Sequence, residues 1–182
     1  MIKLPYRTLF LDRDGVINTR LVGKYVNKYE DFEFTPNALK AFEIFAQKFK
    51  YIFVVTNQQG VGKGIMTQAT LDEIHDKMLA EIKANGGVIH GIYAATGLTK
   101  DNPIDRKPNI GMALQAKMAF PDIDFKHSVM VGDSLSDMEF GKNIEAKLIY
   151  IQGKVEDAEK DIHSIYPQAQ VFDSLWDYAQ SL

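Results

Sequence analysis

Short apolar segments, regularly separated, constrain the fold of this 182-residue chain more than any other sequence feature. Each segment is about four to eight residues long, is rich in β-branched or aromatic residues, and lacks the alternation of a half-exposed strand. This pattern is typical of strands that are covered on both faces. Five such strands are expected: Tyr6 to Leu11, Tyr51 to Val55, Val88 to Ala95, Ser128 to Val131 and Lys147 to Ile151.

Between these segments the apolar residues recur at helical spacing, and capping signals indicate where helices begin. Thr35-Pro36 predicts the start of the first helix, with proline at its first position. Thr70 to Glu73 predicts a capping box for the second helix, and Gly86-Gly87 is expected to end it. Further helices are predicted after Pro108, from Leu135 to Asn143 and from Ser174 to Gln180. Strands that alternate with helices predict an α/β fold with a Rossmann-like, doubly wound, mainly parallel sheet.

Length and composition narrow the class of protein. Residues 1–182 are expected to form a single domain, because domains commonly have this size. The chain has 21 Lys and Arg against 24 Asp and Glu, so it lacks the basic excess of proteins that bind nucleic-acid phosphates. With no cysteine, disulfides and thiolate metal sites are excluded. We expect a cytoplasmic protein, because the first residues lack a secretory signal pattern and no apolar run approaches the ~20 residues of a membrane helix.

Acidic and polar residues directly follow the predicted strands. Ligands of open α/β sheets bind beyond the carboxyl ends of the strands, so these residues are expected to meet at one edge. Those after the first, second and fourth strands are Asp12, Asp14, Thr56, Asn57 and Asp133. Mg²⁺ prefers oxygen ligands and usually takes one or two carboxylates, which makes Asp12 and Asp133 candidate ligands. For the first two acids, a plain surface turn is the alternative interpretation.

Two further segments carry groups that suit a phosphate site. Arg106 and Lys107 precede a predicted helix, whose N-terminus itself favours an anion. Arginine can bind phosphate bidentately and lysine supplies a point charge, although a solvated pair of cations is the alternative. Asp137 follows Asp133 by one helical turn, so both acids can approach one site if the helix begins near Ser134. An acid there also suits a helix cap alone.

The order of these segments resembles the haloacid dehalogenase (HAD) superfamily of aspartate-nucleophile phosphotransferases. The matching parts are DRDGVIN, which contains Asp12, then Thr56, then Lys107, and finally GDSLSD, which contains Asp133. The longer stretches FLDRDGVIN, VVTNQQGVGKG and RKPNIGM resemble its histidinol-phosphatase and heptose-bisphosphate phosphatase branch. Many members of that branch carry a zinc loop where Thr96 to Asp105 has neither Cys nor His, so no zinc is expected.

The resemblance implies Mg²⁺-dependent hydrolysis of a small-molecule phosphate monoester through an aspartyl-phosphate intermediate. Asp12 would be the nucleophile. Asp14 would first protonate the leaving oxygen and then take a proton from water, so a raised pKa is expected for this carboxyl. Thr56 and Lys107 would hold the phosphoryl oxygens.

The resemblance also implies the metal ligands and the rim of the site. Asp12, Asp133 and the backbone carbonyl of Asp14 would hold Mg²⁺, and Asp137 would orient a metal-bound water. The spacing leaves room for a minimal cap, so an open site is expected. Candidate substrate-binding residues are Arg20, Tyr25, Asn57, Gln58, Gln59, Arg106 and Ser134. Arg106 could bind a second anionic group.

The expected substrate is a sugar phosphate or bisphosphate, such as heptose 1,7-bisphosphate, or histidinol phosphate, acted on by a monomer without a nucleic-acid or membrane partner. A nucleic-acid 3′-end phosphatase is one alternative, which the net charge of −3 disfavours. A non-catalytic phospho-ligand-binding or phospho-accepting module is another. Asp14 disfavours the phospho-accepting module, because a protein that keeps its phosphoryl group needs no acid or base beside the phosphorylated residue.

Overall fold

The chain folds into one parallel sheet with helices on both faces in the computed structural model, which describes residues 7–152 and 162–182. The strands are β1 (Thr8–Leu11), β2 (Tyr51–Asn57), β3 (Gly91–Ala95), β4 (Ser128–Gly132), β5 (Lys147–Ile151) and β6 (Gln170–Phe172). The helices are α1 (Ala38–Lys48), α2 (Gln68–Ala84), α3 (Gly111–Ala119), α4 (Leu135–Asn143), α5 (Ile162–Ile165) and α6 (Leu175–Gln180). No helix in these described ranges is long and apolar enough to cross a membrane.

The strand order is β3-β2-β1-β4-β5-β6, and every neighbouring pair is parallel. Leu9 of β1 lies opposite Ile52 of β2 on one side and Val129 of β4 on the other. The winding direction reverses between β1 and β4, which is where open α/β sheets bind their ligands. The predicted Rossmann-like, doubly wound fold is confirmed.

Successive side chains of β1 enter opposite cores, since neighbouring residues of a strand point to opposite faces. Leu9 and Leu11 pack with α1, α2 and α6 on one face, whereas Phe10 packs with α3 and α4 on the other. A third cluster lies between α4, α5 and β5. Both faces of the central strand are therefore apolar, which explains its unbroken apolar run.

The first helix begins later than predicted. Its N-cap is Asn37, with φ 59°, and α1 starts at Ala38 rather than at Pro36. The hydroxyl of Thr35 instead donates to the carbonyl oxygen of Val16 at 2.9 Å. Thr35 thus holds the loop that follows β1, a tertiary role that the local capping pattern does not indicate.

The second helix begins earlier than predicted. Thr67 is its N-cap, because the Thr67 side chain accepts a hydrogen bond from the backbone N–H of Thr70 at 3.1 Å. The predicted capping box from Thr70 to Glu73 is therefore wrong, since Thr70 lies inside the first turn. Gly86, with φ +81°, follows the end of the helix as expected.

Several strand limits also differ from the predictions. β3 begins at Gly91 rather than Val88, and β2 continues through Thr56 to Asn57. The predicted start of the first strand at Tyr6 lies outside the described residues. The short elements α5 and β6 were not predicted, because three or four residues are too few to establish a periodicity.

Candidate active site

Three acidic side chains and one lysine converge beyond the carboxyl ends of β1 and β4. Asp12 follows β1, Asp133 follows β4, and Asp137 lies in the first turn of α4. Each offers a carboxylate oxygen within 4.8 Å of the other two. Lys107 is buried among them, and its Nζ donates to Asp12 Oδ1 at 2.7 Å and lies 2.6 Å from Asp137 Oδ1. The loop before α3 thus places the Lys107 ammonium among the three carboxylates.

Two glycines make this close packing possible. Gly15 has φ +91°, and a Cβ built there would lie 1.8 Å from Asp133 Oδ2. A Cβ on Gly132 would lie 2.1 Å from the Cβ of Asp137. Any larger residue at either position would displace an acid of the cluster, so the glycines of DRDG and GDSLSD have a direct steric role.

Burial and mutual repulsion perturb the acids. Burial raises the pKa of Asp12 to about 6, with a further contribution from the charge of Asp137 and opposition from Lys107. Burial also raises the pKa of Asp133 well above its usual range, and the charges of Asp12 and Asp137 add to this. Burial alone would lower the pKa of Lys107, but the two neighbouring carboxylates outweigh it and raise the pKa. One lysine does not neutralise this cluster, which leaves a negative site suited to a divalent cation.

Asp14 has a different environment, although it is only two residues away from Asp12. Its Oδ1 accepts hydrogen bonds from Arg13 at 2.9 Å and Asn18 at 3.0 Å, and its Oδ2 accepts one from Gln58 at 2.7 Å. Burial would raise the pKa of Asp14, but the Arg13 charge and these three hydrogen bonds outweigh burial and lower it. The expected raised pKa is therefore wrong for this arrangement, because the adjacent Arg13, the nearby Asn18 and the distant Gln58 together stabilise the Asp14 carboxylate.

The residues at the end of β2 hold other site residues in place. Thr56 is 1% exposed, and its hydroxyl accepts a hydrogen bond from Gln58 at 2.9 Å. The Asn57 side chain accepts from the backbone N–H of Lys107 at 3.0 Å and donates to its carbonyl oxygen at 3.1 Å. The Lys107–Pro108 peptide bond is cis. The side chains of Asn57 and Gln58, predicted to bind substrate, thus position Lys107 and Asp14.

An open cleft of about 410 Å³ lies beside Asp14. Arg20 and Tyr25, which were predicted to bind substrate, line this cleft, and Arg20 Nη2 donates to Asp133 Oδ1 at 2.9 Å. Lys63 also lines the cleft, with its Nζ 3.0 Å from the hydroxyl of Tyr25. Sequence reasoning missed Lys63, although a cation in the glycine-rich turn after β2 was an available signal.

The remaining predicted rim residues have other surroundings. Arg106 is half-buried, and its Nη1 is buried without a hydrogen-bond partner among the described residues. Burial lowers the pKa of Arg106, and nearby Tyr25 opposes this. The Gln59 side chain accepts a hydrogen bond from Thr99 at 2.9 Å, and Ser134 caps α4. The side chains of Gln59 and Ser134 therefore have structural partners within the protein.

The strand order and the acidic cluster after β1 and β4 together define a HAD-type hydrolase. A family model described as HAD-hydrolase-like matches residues 104–178. The D-glycero-alpha-D-manno-heptose-1,7-bisphosphate 7-phosphatase of Mycobacterium bovis is 36% identical over 176 residues, which cover 94% of this chain and 88% of that protein. The bifunctional histidine biosynthesis protein HisB of Bacteroides fragilis is 30% identical over 152 residues, 82% of this chain and 40% of that protein.

Among solved structures, the D,D-heptose 1,7-bisphosphate phosphatase of B. bronchiseptica, complexed with magnesium and phosphate, superposes with a TM-score of 0.86. It is 27% identical, and the match covers 96% of this chain and 97% of that one. The chain therefore belongs to the HAD-like hydrolases, as a phosphatase of the branch that includes the heptose-bisphosphate phosphatases.

Proposed function

We propose that this phosphatase hydrolyses the 7-phosphate of a heptose 1,7-bisphosphate, with Mg²⁺ as its cofactor and Asp12 as its nucleophile. The observation that carries the proposed chemistry is the buried Asp12 carboxylate, 2.7 Å from the Lys107 ammonium and within 4.8 Å of Asp133 and Asp137. The heptose substrate is inferred from the relatives that carry this activity in their names.

In the first step, an Asp12 oxygen attacks the phosphorus of the substrate, and the bond between phosphorus and the sugar oxygen breaks. Lys107 and Thr56 hold the oxygens of the transferred phosphoryl group. Asp14 donates a proton to the departing sugar oxygen. A bound phosphate raises the pKa of Asp14 through its negative charge, which reconciles this donation with the low pKa of the free site.

In the second step, a water molecule attacks the phosphorus of phospho-Asp12. Asp14, now ionised, takes a proton from this water. The bond between phosphorus and the Asp12 oxygen breaks, which releases inorganic phosphate and restores the Asp12 carboxylate. The hydrogen bonds from Arg13, Asn18 and Gln58 suit this second role, because they stabilise the ionised form of Asp14.

The donor set fits Mg²⁺, which prefers carboxylate and carbonyl oxygens. Asp12, Asp133 and the backbone carbonyl of Asp14 would hold the ion, and Asp137 would orient a water ligand. The raised pKa values of Asp12 and Asp133 are consistent with a site whose acids lack a full counter-charge. When bound, the ion supplies positive charge that offsets repulsion between Asp12 and the phosphate.

The second phosphate of a bisphosphate would bind at the rim. Arg106 offers a buried Nη1 with no partner among the described residues, and an unpaired buried donor is costly without a ligand. Lys63 adds a cation at the cleft beside Tyr25. A histidinol phosphate carries one phosphate alone and would leave these groups unused, so a bisphosphate is the better match.

We also propose that residues 1–182 work as one domain, as a monomer, in the cytoplasm. The single domain is supported by the continuous sheet, which runs through both described ranges and carries helices on both of its faces. Sedimentation analysis of the purified protein would test the monomer.

The experiment is a phosphate-release assay with heptose 1,7-bisphosphate, fructose 1,6-bisphosphate, histidinol phosphate and a 3′-phosphorylated oligonucleotide, each with Mg²⁺ and with EDTA. Asp12→Asn is the control variant. We expect the heptose bisphosphate to be the best substrate, with activity lost in EDTA and in the variant. Preferential turnover of the oligonucleotide, or full activity of Asp12→Asn, would contradict the proposal.

A further inference from the structure

A buried charged side chain connects Asp14 to a distant helix. Arg13 is 1% exposed, although it lies between two site acids in the sequence. Its Nη2 donates to Asp14 Oδ1 at 2.9 Å, and its Nη1 lies 3.2 Å from Nε2 of His75 in α2. The Phe32 ring centroid lies 6.0 Å from the guanidinium carbon. Contacts on several sides therefore fix the Arg13 guanidinium, and its Nη2 holds the Asp14 carboxylate.

The chemistry of this contact fixes the state of His75. A guanidinium has only donors, so Nε2 must be the acceptor and the ring must be neutral. Burial lowers the pKa of His75 to about 4, and the Arg13 charge acts in the same direction. His75 is therefore an acceptor throughout the neutral pH range.

We propose that His75 is a positioning residue for the phosphatase reaction: it accepts a hydrogen bond from Arg13 and so fixes the guanidinium that orients Asp14 toward the attacking water. This inference rests on the proposed function of Asp14 as the base of the second step. His75 would not touch the substrate, and its effect would reach the site through one side chain.

The contact geometry distinguishes this role from simple core packing. Neighbouring positions on the buried face of α2 carry Leu71, Ile74 and Met78, all apolar, so packing alone is satisfied by an apolar side chain. His75 is 7% exposed, and its ring nitrogen is directed to Arg13, the cation that holds Asp14. Without this acceptor, Arg13 would keep its hydrogen bond to Asp14, but its Nη1 would lose the hydrogen bond to His75.

Loss of the His75 acceptor should slow one step of the reaction, the hydrolysis of phospho-Asp12. With p-nitrophenyl phosphate, the leaving group needs no protonation, so formation of phospho-Asp12 does not depend on Asp14. Hydrolysis of phospho-Asp12 still requires Asp14 to take a proton from water. A poorly oriented Asp14 therefore slows hydrolysis alone, and phospho-Asp12 accumulates.

The test compares His75→Leu with the wild-type protein. During turnover of p-nitrophenyl phosphate with Mg²⁺, samples are quenched in acid, and intact-protein mass spectrometry measures the phosphorylated fraction. In His75→Leu we expect kcat to fall about 10-fold, a modest part of what a general base contributes, and the phosphorylated fraction to rise severalfold. His75→Gln should retain kcat within about 2-fold, because its amide oxygen can accept from Arg13.

Two further variants complete the design. His75→Met is a second variant without an acceptor, and it serves if the leucine variant does not fold. His90→Leu is the matched control, since His90 also accepts a hydrogen bond, from the backbone N–H of Ile52 at 3.1 Å, but contacts neither Arg13 nor Asp14 in the described hydrogen-bond network. We expect no rise in phospho-Asp12 in this control.

A folded His75→Leu or His75→Met protein in which phospho-Asp12 does not accumulate above the wild-type level, whether kcat is unchanged or reduced, would show that His75 serves packing alone and would overturn the inference. A different result identifies failure of the proposed function. If wild-type protein never becomes phosphorylated and Asp12→Asn still turns over substrate, the aspartyl-phosphate mechanism is wrong.

Discussion

Removal of the Lys107 ammonium should destabilise the protein in a pH-dependent way. The side chains of Lys107, Asp12 and Asp137 are 2%, 9% and 0% exposed, so solvent screens their interactions very little. Lys107→Met keeps a similar volume but leaves two buried carboxylates without their cation. Breaking a buried ion pair by removing one partner costs about 3–5 kcal/mol. We expect the free energy of unfolding at pH 7 to fall by this amount, a large fraction of the ~5–15 kcal/mol of a typical domain.

The sign of the pH dependence follows from Asp12. Its pKa in the folded protein is raised from 3.8 to about 6, so the native state binds the proton more tightly than the unfolded chain. Stability from this group is therefore greatest at low pH and declines as pH rises between these two values. Loss of Lys107 removes a charge that lowers the pKa of Asp12, so the pKa in the variant rises further. The variant should consequently be closer to wild type at pH 5 than at pH 7.

Urea denaturation in EDTA at pH 5 and pH 7, for both proteins, measures these differences. Lys126→Met is a suitable control, because Lys126 pairs with Glu145 at 3.3 Å and both side chains are about two-thirds exposed. Such an exposed pair contributes at most about 1 kcal/mol. A Lys107→Met protein that loses less than about 1 kcal/mol at pH 7, or loses as much at pH 5, would refute the reasoning.

Three other predictions concern the metal and the substrate. Gly15→Ala should weaken Mg²⁺ binding at least about 10-fold by calorimetry, because its Cβ would lie 1.8 Å from Asp133 Oδ2. Gly23→Ala, with φ +68° and, among the described residues beyond its chain neighbours, no atom within 4 Å of the added Cβ, controls for backbone strain and should bind Mg²⁺ normally. Arg106→Ala should raise KM for heptose 1,7-bisphosphate about 10-fold and leave KM for a monophosphate unchanged in steady-state assays. EDTA should abolish binding of inorganic phosphate in a thermal-shift assay, and equal binding with and without Mg²⁺ would contradict this.

The sheet and the positions of the main acids could be predicted because they depend on local patterns. A buried strand has its own apolar run, and the residue after it must lie at the sheet edge. Asp12 and Asp133 therefore follow from the limits of β1 and β4. The starts of α1 and α2 could not be placed in the same way. Thr35 and Thr70 both have side chains that can cap a helix. Thr35 instead bonds to the loop after β1, and Thr67 rather than Thr70 caps α2.

The environment of Asp14 was beyond prediction for a similar reason. Its low pKa depends on Arg13, Asn18 and Gln58, and the last of these lies on another strand end. A sequence shows that these side chains can donate hydrogen bonds but not that all three reach one carboxylate. His75 presents the same difficulty, because a lone histidine on an apolar helix face resembles a core residue until its partner is known.

Charge balance links these observations to the need for a cation. Within the part of the chain that the structure describes, four carboxylates, those of Asp12, Asp14, Asp133 and Asp137, face three cations, those of Arg13, Arg20 and Lys107. One negative charge therefore remains if all are ionised, and such a site repels a phosphate monoester. Under the proposed mechanism, a divalent ion would reverse the sign of the site and make it attract the substrate, and Lys107 would keep Asp12 partly ionised for attack. On this reasoning the arginines and the lysine hold the acids in place, and we propose that a bound divalent ion would determine whether phosphate can enter.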